Sequence, residues 1–211
     1  MIDLPQFTIV IDYLGTFAFA ISGIRAAGGK DFDLFGAYVI GLVTATGGGT
    51  LRDILLGVRP FWMTQPSYLI ITGVALLASL LFSSTFRYLS KAFFLFDAVG
   101  LGLFVVVGIE KTLAAGFPFW VAITMGMITG SVGGVIRDVL VNEVPLLFRR
   151  DIYALACVAG GIAYALCFHL HVSLSFTKII AASVVIVIRV LAVRYRIRLP
   201  AFEKGRGELQ K

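Results

Sequence analysis

Residues 47–57 read GGGTLRDILLG, and residues 130–141 read GSVGGVIRDVLV. Both stretches contain Gly-Gly-x-x-Arg-Asp, and the two copies are separated by 85 positions. When the sequence is compared with itself at that offset, residues 12–60 align with residues 97–145 without a gap and share 15 identities in 49 positions. The chain therefore contains an internal repeat.

The composition indicates the solvent in which this repeat folds. Of the 211 residues, 59% are hydrophobic and only 14% are charged, and the mean hydropathy is +0.96. A soluble domain carries about 25% charged residues, whereas here apolar runs of about 20 residues, long enough to span a bilayer, recur along the chain. This composition excludes a disordered chain, a DNA-binding domain and an ordinary soluble enzyme. The net charge of +6 then reports which loops face the cytoplasm and does not indicate a nucleic-acid partner.

The hydrophobic pattern predicts an all-α membrane protein with seven transmembrane helices. We expect one transmembrane domain over residues 1–195, with repeat 1 at about 7–86, repeat 2 at about 92–170 and a seventh span outside the repeat, followed by a basic cytoplasmic tail at 196–211. The predicted spans are about 7–27, 34–57, 67–86, 92–112, 117–141, 151–170 and 176–195. Three spans per repeat is an odd number, so the second copy is inverted across the membrane. Inverted repeats with interrupted helices typically build transport pathways.

The basic residues predict the orientation in the inner (plasma) membrane. One side would receive most of them: Arg25, Lys30, Arg87, Lys91, Arg149, Arg150, Arg194, Arg196 and Arg198. The other side would receive Arg59, Lys111 and Lys178. Since lysine and arginine are retained in the cytoplasm, we expect the N-terminus outside and the C-terminus inside.

The motif glycines lie within the second and fifth spans. Glycine costs about 1 kcal/mol relative to alanine inside a helix, and unwound backbone at membrane depth is tolerated where it is buried in protein or lines water. We therefore expect both spans to be kinked, at Gly47, Gly48 and Gly49 and at Gly133 and Gly134, with polar backbone open to a pore. The alternative is close helix packing through small residues, which is the usual use of such spacing.

A neighbouring face of the same two spans carries hydroxyls followed by a carboxylate. It holds Thr46, Thr50 and Asp53 in the second span and Ser131 and Asp138 in the fifth. Hydroxyls would replace part of a cation's hydration shell, and a carboxylate would attract cations to a mouth. Together with the motif glycines, these residues are the predicted lining of an ion pathway.

The charges inside the spans need partners, because ionisable groups at membrane depth are costly. Arg52 and Asp53 are adjacent and point about 100° apart on a helix, so we do not expect them to pair with each other. Similar depth in the membrane predicts the pairs Asp12–Arg52 and Asp97–Arg137 instead. Each pair would be either a structural contact or a gate that opens when the pair breaks.

The two motifs, in a seven-span chain of this length, resemble the prokaryotic branch of the trimeric intracellular cation (TRIC) channels. The resemblance covers about residues 7–195. It implies a homotrimer in which each protomer has its own pore, lined by the kinked second and fifth spans. It also implies that monovalent cations permeate, mainly potassium and also sodium, in contact with membrane lipids.

The same family is also labelled as glycine transporters, so a secondary carrier for a small solute such as glycine is the alternative function. Inverted repeats and broken helices suit alternating access as well as conduction. The sequence carries no nucleotide fingerprint and no nucleophile with a base, so we do not expect an enzyme. Cys157 and Cys167 lie in one apolar run and form no zinc pattern, and we expect no metal and no cofactor.

Overall fold

The computed structural model describes residues 6–28, 30–82 and 92–200. Within these ranges the chain forms seven α-helices, two short 3-10 helices and no β-strand. The helices are α1 (Gln6–Ala27), α2 (Leu34–Leu55), α3 (Ser67–Leu81), α4 (Ala92–Ala114), α5 (Phe119–Leu140), α6 (Ala154–His169) and α7 (Leu174–Arg194). The 3-10 helices are Phe61–Met63, after α2, and Leu146–Phe148, after α5.

These elements confirm the predicted all-α fold of seven helices. Among the helices that the structure describes, α1, α2, α5 and α7 are each long and apolar enough to cross a membrane. They have 21 or 22 residues, and at 1.5 Å per residue this matches a hydrocarbon core about 30 Å thick. The predicted end of the third span at 86, the basic residues Arg87 and Lys91, and the tail from 201 to 211 lie outside the described residues.

The helix starts follow from local chemistry. The carboxylate of Asp33 accepts the backbone N–H of Gly36 at 2.7 Å, which satisfies one of the free donors in the first turn of α2. In the second repeat the aligned position is Pro118, which lies directly before α5 and has an extended conformation. The two repeats thus begin their second helix at the same aligned position with different signals.

The contact between α1 and α4 is symmetric. The ring of Phe19 lies against Gly100, and the ring of Phe104 lies against Gly15, where an added Cβ would meet it at 2.9 Å. The two rings meet edge to face with their centroids 5.0 Å apart. Phe19 and Gly15 hold the positions in repeat 1 that Phe104 and Gly100 hold in repeat 2. An approximate twofold axis therefore passes between the rings, as expected for inverted repeats.

Small residues also bring together the first two helices of each repeat. A Cβ at Gly23 of α1 would lie 2.8 Å from Cα of Gly41 in α2, and a Cβ at Gly108 of α4 would lie 2.8 Å from Cα of Gly126 in α5. Close backbone approach through small residues is a common way to pack helices in a membrane, where apolar side chains gain nothing by leaving lipid. The same aligned positions therefore build the same contact in both halves.

The seventh helix lies outside the repeat. It packs against α4 at Gly102, where an added Cβ would lie 2.8 Å from the carbonyl oxygen of Ala182. It also packs against α6 at Gly160, where an added Cβ would lie 3.0 Å from the carbonyl oxygen of Ala181. Both partners belong to repeat 2. The predicted arrangement of two inverted three-helix repeats plus one additional helix is confirmed.

Candidate functional site

The helices α2 and α5 cross in antiparallel directions at the motif glycines. A Cβ at Gly48 would collide with the carbonyl oxygen of Thr129, and a Cβ at Gly133 would collide with that of Thr44. Both helices continue through these glycines without interruption. The glycines therefore allow two backbones to pack closely, which is the alternative interpretation of their spacing, and a kink at them stays a prediction.

The predicted pathway hydroxyls lie near this crossing and bond to their own helices. Thr46 Oγ1 and Ser131 Oγ, which are aligned in the repeat, donate to the carbonyl oxygens four residues earlier at 2.8 and 2.7 Å. Thr50 Oγ1 donates in the same way at 2.7 Å and accepts the indole N–H of Trp62 at 3.0 Å. A hydroxyl that has donated its hydrogen still offers oxygen lone pairs, so Thr46 and Ser131 retain the capacity to accept from water or contact a cation.

Each motif arginine pairs with the aspartate that follows it. Arg52 Nε and Nη2 lie 2.8 and 2.6 Å from Oδ1 of Asp53, and Arg137 Nε lies 2.8 Å from Oδ1 of Asp138. The expectation that these neighbours would not pair is wrong. Their side chains diverge at Cβ, but the long arginine side chain folds back until its guanidinium reaches the adjacent carboxylate.

The second oxygen of each aspartate holds the following loop. Asp53 Oδ2 accepts the backbone N–H of Phe61 at 2.9 Å, and Asp138 Oδ2 accepts that of Leu146 at 3.0 Å. Both acceptors are nearly inaccessible, with 3% and 5% of the residue exposed. Each aspartate thus ties a 3-10 helix to the end of the preceding α-helix, and both of its oxygens are engaged.

A turn at aligned positions makes this loop possible. Gly57 and Asn142 both have a left-handed backbone, with φ of 71° and 57°. Glycine adopts this conformation freely and asparagine adopts it more readily than most residues. The offset of 85 aligns these two residues with each other, and it also aligns Pro60 with Pro145. The sequence therefore indicates a shared loop. It did not reveal that the aspartates hold this loop.

One of the two predicted pairs between helices is present. Arg137 Nη1 lies 2.6 Å from Oδ1 of Asp97 and 2.6 Å from Oγ of Ser22, and Arg137 and Asp97 are fully buried. Arg137 therefore joins α5 to both α4 and α1 while also holding Asp138. A buried arginine with several oxygen partners is the arrangement that offsets the cost of its desolvation.

The other predicted pair, Asp12–Arg52, is wrong. Among the described residues, Asp12 pairs with Lys111, whose Nζ lies 3.3 Å from Oδ2, and accepts the hydroxyl of Tyr68 at 2.9 Å. Arg52 stays with Asp53. The depth argument failed because a lysine from α4 reaches Asp12 first, and this lysine has no charged counterpart in the other repeat.

A second buried cluster attaches the seventh helix. Lys178 Nζ lies 2.9 Å from Oε1 of Glu110 and donates to Thr8 Oγ1 at 2.7 Å, and Tyr164 donates to the same Glu110 oxygen at 3.1 Å. Four helices meet here: α1, α4, α6 and α7. Lys178 lies near the start of α7 and is buried, with only 1% of the residue exposed.

A cavity of about 260 Å³ opens at the Asp138 end of the molecule. It is lined by Arg25, Ala26, Lys30, Asp138, Val141, Glu143, Leu146 and Arg149. Glu143 pairs with Lys30 at 2.9 Å and with Arg149 at 3.5 Å, and the hydrogen bond from Lys30 lowers the pKa of Glu143 below its ordinary value. In the part of the chain that the structure describes, no group of His, Cys, Asp and Glu side chains is placed to hold a metal ion.

Comparisons with known proteins identify the family. A family model described as glycine transporter matches residues 9–84 and 94–169, close to the two repeats. The UPF0126 inner membrane protein YadS of Escherichia coli (strain K12) is 41% identical over 202 residues, which cover 93% of this chain and 98% of the relative. A structure of the TRIC trimeric intracellular cation channel orthologue from Rhodobacter sphaeroides is similar with a TM-score of 0.85 and 31% identity, over 92% of this chain and 100% of that chain. The chain belongs to the TRIC family.

A further TRIC cation channel structure, described for the basis of its conductance, is similar with a TM-score of 0.82 and 34% identity, over 93% of this chain and 97% of that chain. The relatives of this TRIC protein are named as membrane proteins or channels and not as enzymes. Together with the apolar helices, these relatives make the chain a multi-pass inner membrane protein.

Proposed function

We propose that the protein is a monovalent cation channel that prefers potassium, with a pore in each protomer of a homotrimer. The observation that carries the proposal is the likeness over 92% of the chain to a structure named as a trimeric cation channel orthologue, at 31% identity. The crossing of α2 and α5 is consistent with it, because inverted repeats typically place a transport pathway between them near the membrane midplane.

In this proposal cations enter through the cavity at the Asp138 end. They then pass the hydroxyls of Ser131 and Thr46, whose oxygen lone pairs would replace water in the hydration shell of the ion. The glycines from Gly47 to Gly49 and at Gly133 and Gly134 place backbone close to this path, and a bend there would widen it. Thr50 and Asp53 mark the far end.

The proposed orientation places the Asp138 end in the cytoplasm. Arg25, Lys30, Arg149 and Arg150 lie near that end, and lysine and arginine are concentrated on the cytoplasmic side of membrane proteins. The N-terminus would then be outside and the C-terminus inside. Labelling of single introduced cysteines in intact cells would test this orientation. Labelling of a cysteine at position 30 from the outer side would show that the orientation is the reverse.

The channel is tested by recording from purified protein in planar bilayers. We expect unitary currents in potassium chloride that persist in sodium chloride at lower amplitude and disappear when choline replaces the alkali cation. Current carried by chloride, or no current at any voltage in verified folded protein, would contradict the proposal. Cross-linking in detergent and mass measurement of the complex test the trimer.

A carrier for glycine is the second candidate, favoured by one observation. The family model that matches both repeats is described as glycine transporter. Uptake of labelled glycine into proteoliposomes separates the two functions. Saturable uptake without electrical conductance would favour the carrier, whereas conductance without uptake would favour the channel.

A further inference from the structure

A second cavity, of about 280 Å³, lies where the loop after α5 meets the chain that follows α7. It is lined by three arginines and one aspartate: Arg149, Arg150, Asp151 and Arg198. A water molecule takes up about 30 Å³ in the liquid, so this space has room for several waters or for a phosphate group. Three positive charges against one negative charge leave the cavity with an excess of positive charge, which suits an anion.

Backbone contacts bring the two segments of this cavity together. Arg196, just after α7, has a left-handed backbone with φ of 53°, which is uncommon for a residue with a side chain and turns the chain. The backbone N–H of Leu199 then donates to the carbonyl oxygen of Arg150 at 2.8 Å. Asp151 and Arg198 form an isolated antiparallel bridge. Main-chain bonds thus hold the cavity together, and they do not depend on the arginine side chains.

The arginines are not required by the fold of the loop. The repeat aligns residues 149–151 with residues 64–66, which read Thr-Gln-Pro in the loop after α2. The backbone N–H of Arg149 and that of Thr64 each donate to the carbonyl oxygen three residues earlier, both at 3.2 Å. The two loops share this hydrogen bond, yet only one of them carries arginines. A role beyond the folding of the loop accounts for this difference.

The side chains of Arg150 and Arg198 are available to a ligand. Both are exposed, and within the described part of the chain neither side chain forms a salt bridge or a hydrogen bond. Arg149 is more firmly placed, since its Nε donates to the carbonyl oxygen of Val144 at 2.7 Å and its Nη2 lies 3.5 Å from Glu143. A guanidinium can bind two phosphate oxygens at once through parallel N–H bonds. Free arginines around a cavity therefore favour a phosphate ligand.

Exposed apolar side chains flank the cavity. Phe148 precedes Arg149 in sequence, and Ile197 and Leu199 lie on either side of Arg198; they are 71%, 49% and 39% exposed. The last two follow the end of α7 by only a few residues, and α7 is long and apolar enough to cross a membrane. The cavity therefore lies at the level of the lipid headgroups. An apolar rim suits a phospholipid, whereas a soluble phosphate compound gains nothing from it.

We propose that the three arginines of this cavity bind the phosphate of an anionic phospholipid, such as phosphatidylglycerol, whose acyl chains lie against Phe148 and Leu199. Basic pockets on the cytoplasmic side of membrane proteins bind anionic headgroups, and in the proposed orientation this lipid belongs to the cytoplasmic leaflet. The hydroxyls of a glycerol headgroup can donate to the carboxylate of Asp151. The site goes beyond the proposed channel function, because lipid binding is measured without any current.

Native mass spectrometry of the purified full chain, with lipid added in mild detergent, tests the site. We expect phosphatidylglycerol to stay bound and phosphatidylcholine, which has no net charge, to be lost. Arg150→Gln and Arg198→Gln should each reduce the fraction of protein that carries phosphatidylglycerol severalfold. Both side chains are exposed and the main-chain bond to Leu199 is kept, so both variants should fold. Equal binding by the unaltered protein and both variants would overturn the proposal.

An exchange between the two aligned loops separates a defined site from a general effect of charge. The double variant Gln65→Arg, Arg150→Gln has the same composition and net charge as the unaltered protein, and both positions are exposed. We expect it to bind phosphatidylglycerol as weakly as Arg150→Gln alone, because the loop after α2 has no partner segment equivalent to Arg198. Recovery of binding in the double variant would show that net charge alone attracts the lipid, and would overturn the site.

Melting temperatures in detergent distinguish the sources of the phosphate. Phosphatidylglycerol should raise the melting temperature of the unaltered protein, millimolar inorganic phosphate should not, and Phe148→Ala should weaken the effect of the lipid. Equal stabilisation by inorganic phosphate, unchanged in Phe148→Ala, would assign the cavity to a soluble phosphate compound and overturn the lipid. Greater stabilisation by phosphatidylethanolamine than by phosphatidylglycerol would also overturn it, since the headgroup ammonium would then be what the cavity selects.

Discussion

The backbone nitrogen of Gly48 lies 3.7 Å from the position that a Cβ on Gly133 would take. The same Cβ would collide with the carbonyl oxygen of Thr44, and a Cβ on Gly48 would collide with that of Thr129. The obstacle at each glycine is backbone, which cannot rotate away as a side chain can. Because Gly48 and Gly133 have no Cβ atom, α2 and α5 can cross this closely. The two glycines lie on opposite sides of the approximate twofold axis.

This crossing predicts that Gly48→Ala and Gly133→Ala each destabilise the protein. Overpacking a tight contact costs about 1–3 kcal/mol, which for a chain of this length lowers the melting temperature by several degrees. Gly73→Ala in α3 is the matched control, because nothing lies within 4 Å of a Cβ there. Melting in detergent that shows equal stability for all three variants would contradict the close crossing.

The buried contact between Arg137 and Asp97 predicts a larger effect. Asp97→Asn would leave the guanidinium without one of its two carboxylates, and breaking a buried ion pair costs about 3–5 kcal/mol. Ser22→Ala removes a hydrogen bond to the same guanidinium and should cost about 1 kcal/mol. Chemical denaturation of the two variants in mild detergent checks this order, and a smaller loss for Asp97→Asn than for Ser22→Ala would refute it.

Exchanging the charges of this pair should not restore stability. Arg137 also holds Asp138, with Nε 2.8 Å from Oδ1, so the double variant Asp97→Arg, Arg137→Asp would place two carboxylates side by side on α5. We expect it to be less stable than either single variant. Recovery of the original melting temperature in the double variant would show that Asp138 does not depend on Arg137.

The two motif aspartates predict a local effect on the loops. In Asp53→Ala the backbone N–H of Phe61 loses its acceptor, and in Asp138→Ala that of Leu146 does. We expect both amides to exchange with deuterium faster, while amides in the middle of α2 and α5 keep their protection. Hydrogen exchange measured by mass spectrometry resolves the two segments, and unchanged exchange at both would contradict the proposed tether.

The pair formed by Glu143 and Lys30 at the rim of the cavity predicts that the stability of the fold depends on pH. The hydrogen bond and charge of Lys30 lower its pKa below the ordinary value of 4.5. A lowered pKa in the folded state means that the pair stabilises the fold above pH 4.5 and that this contribution is lost as the pH falls through the folded pKa. The carboxyl carbon of Glu143, followed by NMR, should titrate at lower pH in the unaltered protein than in Lys30→Ala, and identical midpoints would argue against the pair.

The sequence predicts the fold well because the repeat is visible in it. Fifteen identities at one offset identify which helices of the two repeats correspond. Since each repeat has an odd number of spans, the second repeat must be inverted across the membrane. The pair Asp97–Arg137 was predictable because depth in a membrane follows from position along a helix. The pair Asp12–Lys111 was not predictable, since the residue aligned with Lys111 in the other repeat is the uncharged Ala26. The pairing of Arg52 with Asp53 depends on side-chain torsions that the spacing of residues does not specify.

The hydroxyls of Thr46 and Ser131 allow a test of the ion path itself. Both donate to the carbonyl oxygen four residues earlier in their own helix. Thr46→Val and Ser131→Ala therefore each remove one oxygen ligand. Neither substitution leaves a buried group that needs a new hydrogen-bond acceptor in another helix. If each oxygen stabilises the passing ion by about 1 kcal/mol, as hydrogen-bonding groups typically do, the potassium conductance should fall about fivefold. Thr124→Val is the control, because Thr124 makes the same bond within α5 from an exposed position. A conductance reduced equally by all three variants would show that the helix, and not the pathway, is responsible.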